Sequence, residues 1–345
     1  MEEVKLEGSY YDMGLQLGGM LKNRLRLPEP KTKQLEFVAE SEKEMLQYTP
    51  GLLDELQGLA DAADLRIKHL NAILLYEPYK IRRFFDTNGF LKHCTCFAVP
   101  GGQTENRKPV YARNYDFYME SQEYFTIYRT NPSNKLSSLI FTDHYVGGFG
   151  GINETGLACA VTGVPYYNGT FTPGILLNIA IRWILDSFSK VEDAVEFLEN
   201  VQHCEGNNYY IADQNNTIAK VEGSPIKVFT TYAENEILVA TNHYQSKEMQ
   251  HLQRKITTTI AGSTFSRLEG IKSWYRDQEK PITTHSIKKV LRGHSYGVCD
   301  HRPSDKAGTT WSWVAALGTN TVEVCVGFPC KNEYKIVNLK DRDYG

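Results

Sequence analysis

No part of this 345-residue sequence stays apolar for long enough to cross a bilayer. The richest window, Ile175 to Leu185, is short and is interrupted by Asn178 and Arg182. The opening, Met1-Glu2-Glu3-Val4-Lys5, lacks the basic start and apolar core of a secretory signal, so no export is expected and a cytoplasmic location is. Basic runs are missing as well. Lys and Arg number 38 against 41 Asp and Glu, a formal net charge of -3, which leaves no track for a phosphate backbone and argues against nucleic acid as a partner. Neither a Gly-Lys-Ser/Thr nor a Gly-x-Gly-x-x-Gly loop is present. The glycine cluster Gly147-Gly148-Phe149-Gly150-Gly151 therefore reads as turn chemistry, and no cofactor is expected. The seven cysteines are an odd number spread over a long chain, which fits reduced, buried thiols better than a disulfide framework.

What is there begins with helical periodicity. Ser9 and Asp12 have the spacing of a capping box, and Met13, Leu17, Met20, Leu21 and Leu25 recur on one face. A second periodic stretch runs from Leu35 to Leu46. Thr49-Pro50 looks like an N-cap followed by proline at the first helical position, ahead of Leu52, Leu56, Leu59 and Ala63. Leu70, Ile73 and Leu74 suggest a fourth helix, so residues 8 to 90 are expected to be helical. From Cys94 the period changes to that of short strands, among them Cys96 to Val99, Val110 to Asn114, Phe125 to Arg129, Ser138 to Phe141 and Leu157 to Thr162. A helix pair is expected from Thr172-Pro173 to Leu198. More strands follow between Tyr209 and Thr241, then helices at Phe265 to Tyr275 and Ser286 to Leu291, and a last hairpin of Thr310 to Leu317 with Val322 to Val326. This order lacks the β-α-β alternation of a parallel sheet, and it predicts an α+β fold of two antiparallel sheets between helical layers.

The chemistry concentrates in one predicted hairpin. Its arms are His93-Cys94-Thr95-Cys96-Phe97-Ala98-Val99 and Tyr111-Ala112-Arg113-Asn114-Tyr115-Asp116-Phe117, joined by a tract of turn residues. The fold-back brings Arg113 and Asp116 beside Cys94, and positive charge next to a thiol favours the nucleophilic thiolate. A cysteine nucleophile also needs a base. His93 is adjacent in sequence, and consecutive strand residues point to opposite faces, so it is badly placed to serve. If the His93-Cys94 bond is cut by attack of the thiol on the His93 carbonyl, Cys94 gains an α-amino group with a pKa near 8, suited to proton transfer.

These residues resemble two related families. Cys94-Thr95-Cys96-Phe97, followed after a loop by Ala112-Arg113-Asn114-Tyr115-Asp116-Phe117, is similar to the start of the mature chain in the choloylglycine hydrolase and isopenicillin-N acyltransferase (acyl-CoA:6-aminopenicillanic acid acyltransferase) families of N-terminal nucleophile (Ntn) hydrolases. Gly8 to Gly19 is similar to the opening of acyltransferase precursors. Asn153-Glu154-Thr155-Gly156 matches an Asn-x-x-Gly turn, Thr241-Asn242-His243 a later strand end, and Ser266-Arg267 the Ser-Arg of bile-salt hydrolases. The resemblance implies a four-layer αββα sandwich, with residues 1-93 as a helical pro-segment and 94-345 as the catalytic chain. It implies Cys94 as nucleophile, Asp116 as the carboxylate holding the α-amino group, Arg113 against the thiol, Asn242 as a donor to the oxyanion and Arg267 completing the polar shell. Substrates would be acylated amines or amino acids with linear amide bonds; acyl-CoA as a donor and a homo-oligomeric state are compatible with it.

Departures from the families are informative. Thr162-Gly163 stands where bile-salt hydrolases carry a second oxyanion asparagine, and Lys306-Ala307 where the penicillin acyltransferase has Ser-Arg, so penicillin-type substrates are not expected. Two readings compete on the residues alone. A papain-like enzyme would need a distant base such as His243 or His285, and the local cysteine signature is absent. Cys94-x-Cys96 with Cys299-x-His301 could supply zinc ligands, but the spacing is not the usual C-x₂₋₄-C, and no metal is expected. A non-catalytic binding protein that keeps the fold as an uncleaved precursor is the remaining alternative.

Overall fold

The computed structural model describes residues 2–22, 27–76, 93–234, 237–255, 258–302 and 306–339; the helix expected beyond residue 76 lies outside them. The chain opens with a strand, β1 (Glu2–Gly8), in which Val4 and Leu6 alternate with charged residues and turn inward. Helices α1 (Tyr10–Leu21), α2 (Thr32–Tyr48), α3 (Pro50–Ala63) and α4 (Ile67–Asn71) follow. Ser9 and Asp12 form the predicted capping box, and Pro50 sits in the first turn of α3. α1 crosses α3 at close range because of its glycines. A Cβ on Gly14 would lie 2.1 Å from the Glu55 carbonyl oxygen, and one on Gly58 2.2 Å from that of Tyr11.

The strands form two sheets. β4 (Thr126–Pro132), β5 (Ser138–Thr142), β6 (Gly150–Asn153), β7 (Ala158–Gly163), β8 (Asn207–Ala212), β9 (Ile218–Ser224) and β10 (Lys227–Tyr232) make one antiparallel sheet in sequence order. β1 lies parallel to β4 and closes that edge. The second sheet runs β11 (Val239–Ala240), β2 (His93–Val99), β3 (Val110–Tyr118), β13 (Ala307–Ala316), β14 (Thr321–Val326) and β15 (Lys335–Asn338), with β12 (His301–Arg302) paired to β13. β2 packs on β7 and β8, so the sheets meet face to face. Helices α5 (Leu177–Ser187) and α6 (Val191–Asn200) cover the first sheet; α8 (Thr258–Asp277) and α9 (Thr284–Leu291), which follow the short α7 (Lys247–Gln250), cover the second. The result is the predicted αββα order. Among the described residues, no helix is long and apolar enough to cross a membrane.

One buried ionic group ties the N-terminal helices to this body. Arg182 of α5 contacts Asp186 at 2.7 Å and Glu55 of α3 at 3.1 Å, and Tyr10 of α1 donates to Asp186 at 3.0 Å. All three charged side chains are inaccessible to solvent. Burial pushes both carboxyls above the usual range while Arg182 pulls them back.

Candidate active site

The hairpin forms as expected, with Cys94 opposite Tyr115, Cys96 opposite Arg113 and His93 opposite Asp116. This register sorts the side chains by face. Cys94, Cys96, Arg113 and Tyr115 point between the sheets, whereas His93, Thr95, Asn114 and Asp116 point toward the helices. Arg113 Nη2 lies 3.6 Å from the Cys94 sulfur, and Nη1 donates to the Phe149 carbonyl. The guanidinium also sits over the Tyr115 and Trp311 rings, at 5.4 and 5.2 Å from their centroids. The glycine cluster has a use here. Gly150 passes so close to Arg113 Nη1 that a Cβ would come within 3.2 Å of it.

Asp116 does not share the face of the thiol. It stands level with His93, and its Oδ1 accepts a 2.6 Å hydrogen bond from Thr309 Oγ1. The β3–β13 ladder shifts register between Thr309 and Trp311, a bulge that turns Thr309 toward the carboxylate. Thr309 had no signal in the sequence, falling just ahead of the strand expected from Thr310.

Asn242 and Arg267 reach the main chain of Cys94 rather than its sulfur. The Cys94 N–H donates to Asn242 Oδ1 at 2.7 Å, and Arg267 Nη1 donates to the Cys94 carbonyl. Arg267 Nη2 donates to the same Asn242 oxygen at 3.0 Å, while Asn242 Nδ2 donates to the Gly163 carbonyl at 3.0 Å. Two donors on one atom and a carbonyl facing the other fix the amide's orientation. Asn242 here is an acceptor for the Cys94 nitrogen, and its NH₂ is engaged by Gly163, which differs from the oxyanion role expected of it. Thr162 is occupied too, donating to the Thr241 carbonyl at 2.6 Å. The Thr264 hydroxyl receives the Asn242 N–H at 2.8 Å and holds the strand end in place.

The thiol is buried, and that burial raises its pKa above the free value against the opposing pull of Arg113 and Arg267. Cys96 is pushed up to about 12 for the same reason. His243 lies against Thr264 at 2.8 Å, and burial with nearby cations lowers its pKa to about 3. No histidine among the described residues hydrogen-bonds to the Cys94 sulfur, which removes the geometric basis of a papain-like pair. His93 Nδ1 lies 3.1 Å from Ser263 Oγ and 3.3 Å from Asp300 Oδ2, so the residue ahead of Cys94 is fixed from two sides. Asn153, by contrast, is structural. Its Oδ1 accepts from the Thr155 and Leu157 N–H groups, and its Nδ2 donates to the Leu185 and Phe188 carbonyls, while Gly156 takes the left-handed conformation at φ +81°.

A cavity of about 590 Å³ opens between α1 and β4, lined mainly by apolar side chains such as Leu17, Leu21, Leu74 and Tyr128. Its Asp143 accepts from the Tyr115 hydroxyl at 3.4 Å, and Tyr115 is the cross-strand neighbour of Cys94.

Comparison with known proteins bears on the family and the fold. The family described as acyl-coenzyme A:6-aminopenicillanic acid acyl-transferase matches residues 103–331, a span that starts after Cys94 and takes in Arg113, Asp116, Asn242 and Arg267. No curated protein sequence matches the chain. Among solved structures, a mutant conjugated bile acid hydrolase from Clostridium perfringens superposes with a TM-score of 0.50 at 15% identity, covering 71% of this chain and 92% of that one. Penicillin V acylase from Agrobacterium tumefaciens gives a TM-score of 0.46 at 18% identity, over 71% and 86% of the two chains. The Caenorhabditis elegans orthologue of N-acylethanolamine-hydrolyzing acid amidase gives 0.46 at 14% identity, over 65% and 92%. At 15% identity the likeness to the bile acid hydrolase is one of fold.

Proposed function

The chain belongs to the acyl-coenzyme A:6-aminopenicillanic acid acyl-transferase family, which makes it an enzyme of the Ntn hydrolase and acyltransferase class. On that premise we propose that it is a self-processing cysteine amidohydrolase or acyltransferase with Cys94 as nucleophile. The observation that carries this reading is the convergence on one residue: Arg113 at the Cys94 sulfur, Asn242 at its nitrogen and Arg267 at its carbonyl.

Maturation comes first. The Cys94 sulfur adds to the His93 carbonyl carbon, the His93-Cys94 C–N bond breaks and the departing nitrogen takes up the thiol proton. Water then hydrolyses the thioester, leaving a carboxylate on His93 and both a free thiol and a free α-amino group on Cys94. Residues 1-93 remain attached as a separate chain to 94-345, supported by the buried Arg182 group.

In the mature enzyme the α-amino group accepts the thiol proton and the sulfur attacks the carbonyl of a linear amide. The ammonium returns its proton to the leaving amine as the C–N bond breaks, and water or a second amine takes the acyl group from the thioester. Asn242 Oδ1 and the Asp116 carboxylate hold the amine, and Arg113 stabilises the thiolate. The apolar cavity beyond Tyr115 favours an acylated amine or amino acid with an apolar acyl part. All seven cysteines are free, which suits a reducing, cytoplasmic setting.

Intact-mass measurement of the purified protein tests maturation: fragments 1-93 and 94-345 are expected, and a chain that stays whole while fully active refutes it. The Cys94→Ala variant should show neither cleavage nor turnover against a panel of N-acyl amines, N-acyl amino acids and acyl-CoA with amine acceptors.

A further inference from the structure

Away from the hairpin, two segments bring four soft donors together. The loop after α9 carries His294 and Cys299 and runs into β12, which begins with His301, and the turn after β14 carries Cys330. The ligand atoms of these four side chains all lie within 4.8 Å of one another. His301 Nε2 is 2.9 Å from the Cys330 sulfur, and the His294 and His301 rings meet edge to face at 4.8 Å.

The backbone holds these donors before any ion arrives. The Gly293 carbonyl accepts from the Val298 and Cys299 N–H groups, and the Phe328 carbonyl from those of Lys331 and Asn332. The Phe328 ring stacks on His301 at 4.1 Å and orients it. Tetrahedral zinc takes sulfur at about 2.3 Å and nitrogen at about 2.0 Å, which sets its donors roughly 3.3 to 3.8 Å apart, so this cluster needs shifts of only about an ångström. Two thiolates and two imidazoles without a carboxylate select zinc over a hard cation, and the thiolates neutralise its charge.

We propose that His294, Cys299, His301 and Cys330 form a structural zinc site. Binding forms two Zn–S and two Zn–N bonds and releases both thiol protons to solvent. Cys299 and His301 could be paired by sequence with Cys94 and Cys96; the fold supplies different partners, because Cys330 comes from a separate turn that no local spacing reveals. The site also has a consequence for the hairpin. Asp300, between two of the ligands, faces His93 at 3.3 Å, and its N–H donates to Thr309 Oγ1, which in turn donates to Asp116. Zinc would pin this segment against the hairpin.

The test is metal analysis of tag-free, full-length protein purified without chelator, together with the absorption spectrum of protein produced in cobalt-supplemented medium. One zinc per chain and thiolate-to-cobalt charge-transfer bands are expected. Cys330→Ser should lower metal content at least tenfold and abolish those bands; His294→Ala, at an exposed position, is the second variant should the first not fold. Cys325→Ser, in β14 but outside the cluster, should leave both readouts unchanged. Protein devoid of zinc and of cobalt bands, or one with a Cys299–Cys330 disulfide in their place, overturns the proposal. None of these readouts depends on cleavage before Cys94.

Discussion

Arg113→Met would remove the cation beside Cys94 while keeping much of the side chain's length. The guanidinium is fully buried, and its contacts are the Phe149 carbonyl, the Cys94 sulfur and two aromatic rings, with no carboxylate among them. Its charge is therefore available to the thiolate. At a separation near 4 Å and an effective dielectric of 20, a unit pair is worth about 4 kcal/mol. Since about 1.4 kcal/mol is tenfold, the thiolate population at a given pH should fall by roughly 10²- to 10³-fold once some relaxation is allowed. The assay is the rate of alkylation of Cys94 by iodoacetamide in the cleaved enzyme, followed by mass from pH 6 to about 10, the range in which thiols titrate. Amide turnover should fall in parallel. Folding should suffer much less, because the Phe149 carbonyl keeps its hydrogen bond from the Val161 N–H at 3.2 Å and a costly buried charge is removed. Identical alkylation profiles for the variant and the parent would refute the role given to Arg113.

Cys96→Ala should leave cleavage and turnover largely intact, by intact mass and rate; loss of both, with Cys94→Ala active, would move the nucleophile. Asp116→Asn keeps an acceptor for Thr309 but loses the charge proposed to hold the Cys94 ammonium, so turnover should drop about 10- to 100-fold, the worth of a charge-assisted hydrogen bond, with a small change in melting temperature. Burial lowers the pKa of His203 from 6.5 to about 4. The unfolded chain therefore binds a proton first as pH falls, and stability should decline from pH 6.5 to about 4 by about 1.4 kcal/mol per unit for this residue. His243, lowered to about 3, adds to the slope in the same sense, so in urea unfolding at several pH values His203→Gln should reduce the slope by about 1.4 kcal/mol per unit and leave the remainder. Arg182→Met strands two buried carboxyls and should cost about 3–5 kcal/mol in the same assay.

The strand pattern from Cys94 onward was legible because β-rich residues recur in short runs between turn residues, and the tract between Val99 and Tyr111 announced the hairpin but not its register, which puts Asp116 opposite His93 rather than beside the thiol. The capping box at Ser9 and the Pro50 helix start were legible for the same local reason. β1 also carried a period-two signal in Val4 and Leu6, but a strand paired in parallel with one more than a hundred residues later has no local turn to announce it. α5 starts at Leu177, later than Thr172-Pro173 suggested, because the intervening residues bridge to Gln202 through the Ile175 N–H. Arg113 was placed near Cys94 by the fold-back of the hairpin. The contacts of Asp116, Asn242 and Arg267 were not, since Thr309, Gly163 and the Cys94 carbonyl meet them only through tertiary packing, and the Asn242 amide turned out to face the nitrogen of Cys94.

The way β1 sits along β4 bears on what the protein would become after the proposed maturation. A severed first segment would still supply the outermost strand of a sheet whose other members lie beyond the break, so the active molecule would be a two-chain body. Its renaturation from denaturant would then be an encounter between separate polypeptides and would slow on dilution, whereas the unbroken Cys94→Ala chain should recover at a rate independent of concentration.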